Sequence, residues 1–352
     1  MLSFKKLTIK EVKCETASAV SILFNIPEEF KPNFTFVAGQ YVNLKLTLDG
    51  QELRRAYSIC ASPESGDLRI AVKAVKNGAF SQFANTKLKA GDVLEVGKPE
   101  GKFTFEPQAD RQKNYAAFVA GSGITPVLSI IKSMLKSEPK STFVLVYGNK
   151  TPEETIFYQE LHDLQSHYTG RLFVHYAFSQ AKGDLVGRID KTTVQFIMNT
   201  KHKEIEFDRF YLCGPEEMIT SVSKVLKENN VTDSAIKFEL FSTASAEKPT
   251  EIAGEKSLDG HSIITILVDD EETTFEMSQK QTILEAALKQ GVDAPYSCQG
   301  GICSSCLARV KSGTAQMKKN AILTDEEIAE GLVLTCQAHP TSVEIVIDYD
   351  DI

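Results

Sequence analysis

The chain has 352 residues, of which 42% are hydrophobic and 24% charged, and its formal net charge is −8. At roughly 150 residues per domain, this length predicts two to three folded units, and the composition excludes a largely disordered chain. Residues 261–352 hold 6 Lys/Arg against 15 Asp/Glu, while the remainder is close to neutral. No basic surface suited to nucleic acid is therefore expected.

The first residues alternate apolar and polar side chains, lack the pattern of a signal peptide, and are followed by no run of 18 apolar residues. These features predict a cytoplasmic protein with no membrane partner. Four of the seven cysteines fall within residues 298–352. The odd number of cysteines and their uneven placement argue against a disulfide framework and for a metal site. Cys14 and Cys60 are expected to be ordinary buried thiols.

Residues 4 to about 105 contain short strands broken by turn signals, with one short helical segment after Gly78. This pattern predicts an antiparallel β-barrel. The segment 115–120 is a continuous apolar run, typical of a strand buried on both faces, and a helical pattern follows it from Pro126 to Lys136. Strands then alternate with helices expected near 153–166, 190–199 and 215–228, which predicts a parallel, doubly wound sheet.

Residues 246–260 are rich in charge, Gly and Pro and are the best linker candidate. Beyond them we expect a hairpin, a helix around 282–290, a cysteine-containing loop, a short helix near 325–330 and a final strand. The predicted organisation is multidomain: a barrel (1–108), an α/β nucleotide-binding domain (109–245), the linker (246–260) and an α+β domain (261–352).

The four clustered cysteines are Cys298, Cys303, Cys306 and Cys336, spaced x4, then x2, then 29 residues apart. Three thiolates on one loop and a fourth from a distant segment can enclose a compact cluster. The first two spacings are those of plant-type [2Fe–2S] ferredoxins, although a structural zinc site with four cysteine ligands is an alternative. The loop sequence PYSCQGGICSSC resembles the ferredoxin cluster loop, and this resemblance implies a β-grasp fold for residues 261–352.

A flavin site is indicated by three short segments of the barrel region. They are Arg55-Ala56-Tyr57-Ser58, Val72-Lys73-Ala74 and Gly78-Ala79-Phe80-Ser81. An arginine can bind a pyrophosphate, an aromatic ring can stack on a flat cofactor, and a helix start can bind a phosphate. Ordinary cross-strand packing is the alternative for the first segment. In order and spacing the segments resemble the ferredoxin reductase family, which implies FAD, with FMN in some relatives.

A nucleotide site is indicated where the first buried strand meets its helix. The sequence there is Gly121-Ser122-Gly123-Ile124-Thr125-Pro126, with Thr125 expected as N-cap and Pro126 as the first helical residue. A plain strand–turn–helix connection is the alternative. The segment resembles the nicotinamide-binding turn of the same family.

Cys213-Gly214-Pro215 ends a later strand, at the edge where open α/β sheets hold ligands. The family resemblance implies that Cys213 lies against the nicotinamide, that Glu239 lies near the hydride-transfer centre and that Phe241 covers the flavin. A buried inert thiol is the alternative for Cys213. Asn149 and Lys150 are compatible with a 2′-phosphate, which favours NADPH over NADH, although Gln180 stands where many NADP-dependent relatives carry arginine.

The order of barrel, nucleotide domain and ferredoxin domain resembles the reductase components of bacterial oxygenase systems. The resemblance implies electron transfer from NAD(P)H through FAD and a [2Fe–2S] cluster to an oxygenase or epoxidase, in phenylacetate degradation. Two alternatives remain: a reductase for another acceptor, such as a steroid or Rieske oxygenase or a desaturase, and a non-enzymatic redox sensor.

Overall fold

The computed structural model describes residues 4–48, 50–241 and 260–352. Its described residues form two compact units, 4–241 and 260–352. The predicted linker lies outside the described residues except for Gly260. In the part of the chain that the structure describes, no helix combines the length and apolar character needed to cross a membrane.

The N-terminal half of the first unit is an antiparallel barrel with one helix packed against two of its strands. Its six strands run in the order β4-β3-β6-β1-β2-β5. An antiparallel bridge between Ile59 and Ile70 joins the end of β4 to β5 and closes the barrel, so the predicted barrel is confirmed. The elements are β1 (Lys5–Thr16), β2 (Ala19–Asn25), β3 (Tyr41–Leu48), β4 (Gln51–Ser58), β5 (Leu68–Lys73), α1 (Ala79–Thr86) and β6 (Val93–Val96).

The second half of this unit is a parallel sheet in the order β10-β9-β8-β7-β11-β12. Its central strands are apolar on both faces because helices cover each side, as predicted for a doubly wound sheet. The elements are β7 (Asn114–Ala120), α2 (Ile124–Ser137), β8 (Thr142–Asn149), α3 (Tyr158–His167), β9 (Leu172–Phe178), β10 (Leu185–Val186), α4 (Lys191–Phe196), β11 (Arg209–Gly214), α5 (Glu216–Glu228) and β12 (Ile236–Leu240).

The strand order reverses direction between β7 and β11. The chain proceeds outward from β7 through β8, β9 and β10, and then returns to the other side of β7 for β11 and β12. Open α/β sheets bind ligands at such a reversal, beyond the carboxyl ends of the strands. The strand order therefore makes the region between the segment that follows β7 and the end of β11 the expected place for a ligand.

The prediction that Thr125 caps the first helix and that Pro126 is its first residue is wrong. Gly121 has φ +54°, a conformation that glycine adopts easily, and a 3₁₀ turn over Gly121–Gly123 leads directly into α2 at Ile124. The Thr125 hydroxyl donates to the Ser122 carbonyl at 3.0 Å and caps no N–H group. Pro126 still lies in the first turn, where its missing N–H costs no intrahelical hydrogen bond.

The second unit contains a mixed five-stranded sheet in the order β14-β13-β19-β15-β17, in which only β13 and β19 are parallel. A two-stranded ladder, β16–β18, lies beside it. The predicted hairpin is β13–β14, and the predicted helix is α6, which begins with a capping box between Thr282 and Glu285. The elements are β13 (His261–Val268), β14 (Glu271–Ser278), α6 (Ile283–Lys289), β15 (Leu307–Ser312), β16 (Ala315–Met317), α7 (Asp325–Ala329), β17 (Leu332–Leu334), β18 (Ala338–Pro340) and β19 (Glu344–Asp348).

Candidate functional site

Gly123 and Cys213 lie directly against each other at the reversal of the parallel sheet. A Cβ atom on Gly123 would lie 2.5 Å from the Cys213 carbonyl oxygen and 3.1 Å from its Sγ. Both distances are too short for a side chain, so only glycine fits this position. The structure thus brings together the two segments that the sequence singled out for nicotinamide binding.

Glu239 joins this group from the neighbouring strand. It pairs with Cys213 in the β11–β12 ladder, and the Ser58 hydroxyl at the end of barrel strand β4 donates to its Oε2 at 3.4 Å. Burial raises the pKa of the Glu239 carboxyl to about 8, opposed by this hydrogen bond. Burial and the nearby Glu239 carboxyl also raise the pKa of the Cys213 thiol well above its ordinary value. Cys213 is therefore a neutral thiol at physiological pH.

Phe241 follows Glu239 at the end of β12. Its backbone N–H donates to the Gly214 carbonyl at 3.1 Å, which extends the ladder one residue past the strand. Its ring is partly exposed and packs against the core of the parallel sheet. Pro215, also predicted, is exposed immediately before α5. The ends of β11 and β12 thus present a thiol, a carboxyl and an aromatic ring together.

The predicted flavin segment on β4 presents a cation and a ring. Arg55 is exposed, and one of its terminal nitrogens donates to the Arg54 carbonyl at 2.7 Å. Ala56 and Tyr57 are partly exposed, and the Tyr57 ring packs on Phe80 with 5.4 Å between ring centroids. A guanidinium and a supported ring on one strand fit a pyrophosphate and a flat ring system.

The loop before α1 is held by its own side chain. The Ser81 hydroxyl accepts from the Val75 N–H at 3.1 Å and donates to the Gly78 carbonyl at 3.2 Å. A Cβ on Gly78 would lie 2.4 Å from this hydroxyl, so glycine is required there. Ala79 is exposed at the first position of α1. Ser81 thus fixes the shape of the loop that opens the helix.

Lys73 connects the barrel to the glycine turn of the parallel sheet. Its Nζ lies 3.9 Å from the position that a Cβ on Gly121 would occupy. Burial lowers the pKa of Lys73, Glu154 opposes that effect, and Lys150 adds to it. Val72 before it is buried, and the Ala74 N–H after it donates to the Ser18 carbonyl at 2.7 Å. Two lysines therefore share one electrostatic region near the glycine turn.

Asn149 is the last residue of strand β8, and Lys150 follows it. Lys150 is exposed and forms a 3.5 Å ion pair with Glu154, while Asn149 is partly buried. The preceding Tyr147, which the sequence analysis did not select, is fully buried, and its hydroxyl donates to the Gly121 carbonyl at 2.9 Å. The signal for Tyr147 was a tyrosine within an otherwise apolar buried strand, since a buried hydroxyl needs a partner.

The four predicted cluster cysteines lie together in the second unit. Hydrogen-bond contacts link the Cys298 thiol to those of Cys303 and Cys336, and a further contact links Cys306 to Cys336. Cys306 and Cys336 are buried, whereas Cys298 and Cys303 are partly exposed. Of the remaining cysteines, Cys60 is buried as expected. The expectation for Cys14 is wrong, because its place on β1 leaves it exposed.

The backbone of the cysteine loop is shaped by its glycines. The Gly300 N–H donates to Cys298 Sγ at 3.4 Å. Gly301 has φ +71°, and a Cβ there would lie 2.8 Å from the Lys319 carbonyl oxygen. These features leave N–H groups close to sulfur, as a sulfide-containing cluster requires.

The base of the loop is tied to the core by residues that sequence reasoning missed. The backbone N–H and hydroxyl of Thr335 both donate to the Cys306 carbonyl at 3.0 Å, and the buried Tyr349 hydroxyl donates to Thr335 Oγ1 at 2.8 Å. Tyr349 lies in the acidic C-terminal segment, where its role could not be read from local pattern. Together they hold Cys306 and the segment before Cys336 in one arrangement.

The set of four cysteine thiols fits a [2Fe–2S] cluster. A [2Fe–2S] cluster takes four thiolates, so its ligands are shared between two metals. The four thiols contact one another in series, and backbone N–H groups lie beside them. This is the set of donors that a [2Fe–2S] cluster requires.

Three family models match successive parts of the chain. They are an oxidoreductase FAD-binding domain over residues 6–105, an oxidoreductase NAD-binding domain over residues 118–224, and a 2Fe-2S iron-sulfur cluster binding domain over residues 266–341.

Relatives match nearly the whole chain. A component of 1,2-phenylacetyl-CoA epoxidase from Escherichia coli (strain K12) is 39% identical, over 99% of this chain and 99% of the relative. The ferredoxin reductase component of 3-ketosteroid-9-alpha-monooxygenase from Rhodococcus rhodochrous is 31% identical, over 97% of this chain and 96% of the relative. The structure of phthalate dioxygenase reductase shares the fold, with a TM-score of 0.62, 24% identity and 98% coverage of each chain.

The chain belongs to the family of oxygenase-system reductases that join FAD-binding, NAD-binding and 2Fe-2S domains. It is an electron-transfer oxidoreductase whose cofactors are FAD, a nicotinamide dinucleotide and a [2Fe–2S] cluster. The predicted fold class and cofactors are thereby confirmed.

Proposed function

We propose that this chain is the reductase component of a phenylacetyl-CoA epoxidase system and transfers electrons from NADPH to the oxygenase component. The 39% identity over 99% of both chains to the epoxidase component carries this proposal. The same likeness supports phenylacetate degradation as its setting. The cysteines of the described residues are free thiols, which are typical of a reducing compartment and support a cytoplasmic protein.

The residues proposed for the nicotinamide end are Cys213, Glu239 and the glycine turn. Gly123 lets the glycine turn approach the Cys213 backbone closely, while Gly121, Gly214 and Pro215 shape the strand ends. The Cys213 thiol is fully buried and neutral, so it places a polarisable sulfur and no charge at the end of β11. The Glu239 carboxyl, neutral below about pH 8, can hold a proton next to it without placing a charge there.

The residues proposed for FAD are those of the β4, β5 and α1 segments together with Phe241. Arg55 supplies a cation, Tyr57 an aromatic face and the Gly78–Ser81 loop a helix start. Cys298, Cys303, Cys306 and Cys336 are the proposed cluster ligands. When bound, FAD accepts the hydride of the reduced dinucleotide and the cluster carries electrons singly.

The dinucleotide preference is proposed from charge. Lys150 follows β8 as an exposed cation, and Lys73 lies near the glycine turn at Gly121. An ammonium group favours a 2′-phosphate, so NADPH is the proposed donor. The domain boundaries 1–108, 109–245 and 261–352 are also proposed, and each of the three family matches falls inside one of them.

Reconstitution with purified oxygenase components tests the acceptor. The chain, NADPH and the epoxidase oxygenase should epoxidise phenylacetyl-CoA, while the steroid monooxygenase oxygenase should accept electrons far more slowly. A chain without the Cys303 thiol, Cys303→Ser, should support neither reaction. Faster turnover with the steroid oxygenase would contradict the proposed acceptor. The steroid oxygenase is the second candidate acceptor because the chain is 31% identical to a steroid monooxygenase reductase component.

A further inference from the structure

Two histidines that are 27 positions apart in sequence meet at the edge of the parallel sheet. The Nε2 atoms of His175 and His202 are 2.8 Å apart, and each residue is 9% exposed. Neither belongs to a segment that the sequence analysis assigned to a cofactor, and their sequence spacing gave no ligand pattern. The fold alone brings them together.

A wide helical turn places His202. The backbone N–H of His202 donates to the Ile197 carbonyl, five residues earlier, at 2.9 Å, and closes a π-helical turn over Ile197–Lys201. Such turns are rare and frequently occur at functional sites. The Phe173 ring packs edge-on against His202 with 5.1 Å between centroids, which restrains the imidazole.

The pair is separate from the crevice proposed for the nicotinamide. His175 pairs in register with Val146 on β8, which pairs with Phe118 on β7, which pairs with Leu212 on β11. Cys213, the next residue, points to the opposite face, because side chains alternate along a strand. Three strand spacings, roughly 14 Å, also separate β9 from β11.

The pair borders a cavity of about 830 Å³ whose wall includes Gln165, Asp184 and Lys201. The pKa of His175 is lowered to about 4, chiefly by burial and also by His202 and Lys201, against the opposing Asp184. Burial and Lys201 also lower the pKa of His202. Both imidazoles are therefore neutral at physiological pH, and in the 2.8 Å contact one Nε2 carries the proton that the other accepts. Chelation through both Nε2 atoms therefore requires that proton to move to Nδ1 of its ring.

We propose that His175 and His202 form a chelating site for a divalent transition-metal ion such as Ni²⁺ or Zn²⁺. Neutral imidazole is a preferred ligand for these ions, with metal–nitrogen distances of about 2.0–2.1 Å. Tetrahedral geometry would separate the two nitrogens by roughly 3.3 Å, so the rings need to open by only about 0.5 Å. Since the described residues hold no group of three such ligands, water from the cavity completes the coordination. The ion would tie β9 to the turn after α4.

Ni²⁺ binding to the tag-free holoprotein tests the site. Calorimetric titration of the wild-type chain should show one site, and His175→Gln or His202→Gln should weaken it on the order of 100-fold, because chelation by two groups is lost. His162→Gln is the matched control, since His162 is an exposed histidine of the same unit. FAD and iron contents measured before and after titration report folding and cluster loss.

A second measurement needs no variant. Paramagnetic Ni²⁺ should broaden the ring signals of two histidines selectively, and binding should be lost on acidification as His175 and His202 take up protons beside Asp184 and Lys201. Equal Ni²⁺ affinity in wild type and both pair variants, or broadening of the exposed histidines alone, would overturn the proposal. Either result would leave the pair as an internal hydrogen bond and would not affect the proposed function.

Discussion

The crevice proposed for the nicotinamide, formed by Gly123, Cys213 and Glu239, and the cysteine loop position their reactive groups by different means. In the crevice, the order of the strands positions the residues. Cys213 and Glu239 are neighbours because β11 and β12 pair in register, and Gly123 lies near them because β7 is beside β11. In the loop, the thiols lie on irregular chain whose shape depends on glycines and on the anchor of Thr335. Where strand pairing positions the residues, loss of one side chain leaves the others in place. Where four thiols on a loop must bind one cluster, loss of any thiol removes a ligand.

The largest effect is therefore expected in the cysteine loop. Cys336→Ser should abolish bound iron and the visible absorbance of the cluster, because the fourth ligand comes from the distant segment that closes the site. FAD content should stay unchanged, since the barrel belongs to the other unit. Cys14→Ser is the control, because Cys14 is exposed on β1. Iron retained at the wild-type level in Cys336→Ser would show that the ligand assignment is wrong.

In the crevice, the largest effect on hydride transfer is expected at Gly123, where the backbone leaves no room for a side chain. Gly123→Ala forces a methyl group to within 2.5 Å of the Cys213 carbonyl, so the turn or the thiol must shift. Hydride transfer from NADPH to bound FAD should slow on the order of 100-fold, since displacements near 1 Å have such effects. Rapid-mixing measurement of flavin absorbance gives this rate. Gly97→Ala is the matched control, because its nearest neighbour would be 3.5 Å away; an equal loss in both variants would refute the steric explanation.

Glu239 gives a pH-dependent effect. Its pKa rises from 4.5 to about 8 in the folded chain, so between these values the folded state keeps a proton that the unfolded state has lost. Stability should therefore fall as pH rises through this window, and Glu239→Gln should reduce that fall. Tm measured from pH 5 to about pH 8 tests this, with Glu29→Gln, an exposed carboxyl of the barrel, as control. Parallel Tm curves for wild type and Glu239→Gln would contradict the buried-carboxyl account.

The smallest effect is expected for dinucleotide choice. Lys150 is exposed and paired with Glu154, so its contribution to a phosphate is modest. Lys150→Ala should raise the KM for NADPH about 5-fold, equivalent to about 1 kcal/mol, and leave the KM for NADH unchanged. Steady-state kinetics with both dinucleotides measure it. A parallel rise for both would mean that Lys150 does not distinguish them.

Local patterns predicted the strands, the helices and the grouping of four cysteines, whose role as ligands stays a prediction, because periodicity and spacing are carried by neighbouring residues. They failed at the start of α2, where the positive φ of Gly121 begins a turn that the capping rules assign to Thr125. They also missed Tyr147 and Thr335, whose partners lie 26 and 29 positions away. The pairing of His175 with His202 depends on a π-helical turn, which no periodicity indicates.

The central claim is that electrons pass from the dinucleotide to the cluster within this one chain. Electron paramagnetic resonance of the anaerobic holoprotein, frozen after mixing with NADPH, tests it directly. We expect the signal of a reduced [2Fe–2S] cluster at about one spin per chain in the wild type, and a correspondingly delayed signal in Gly123→Ala. Bleaching of the flavin while the cluster remains oxidised in the wild type would contradict the account.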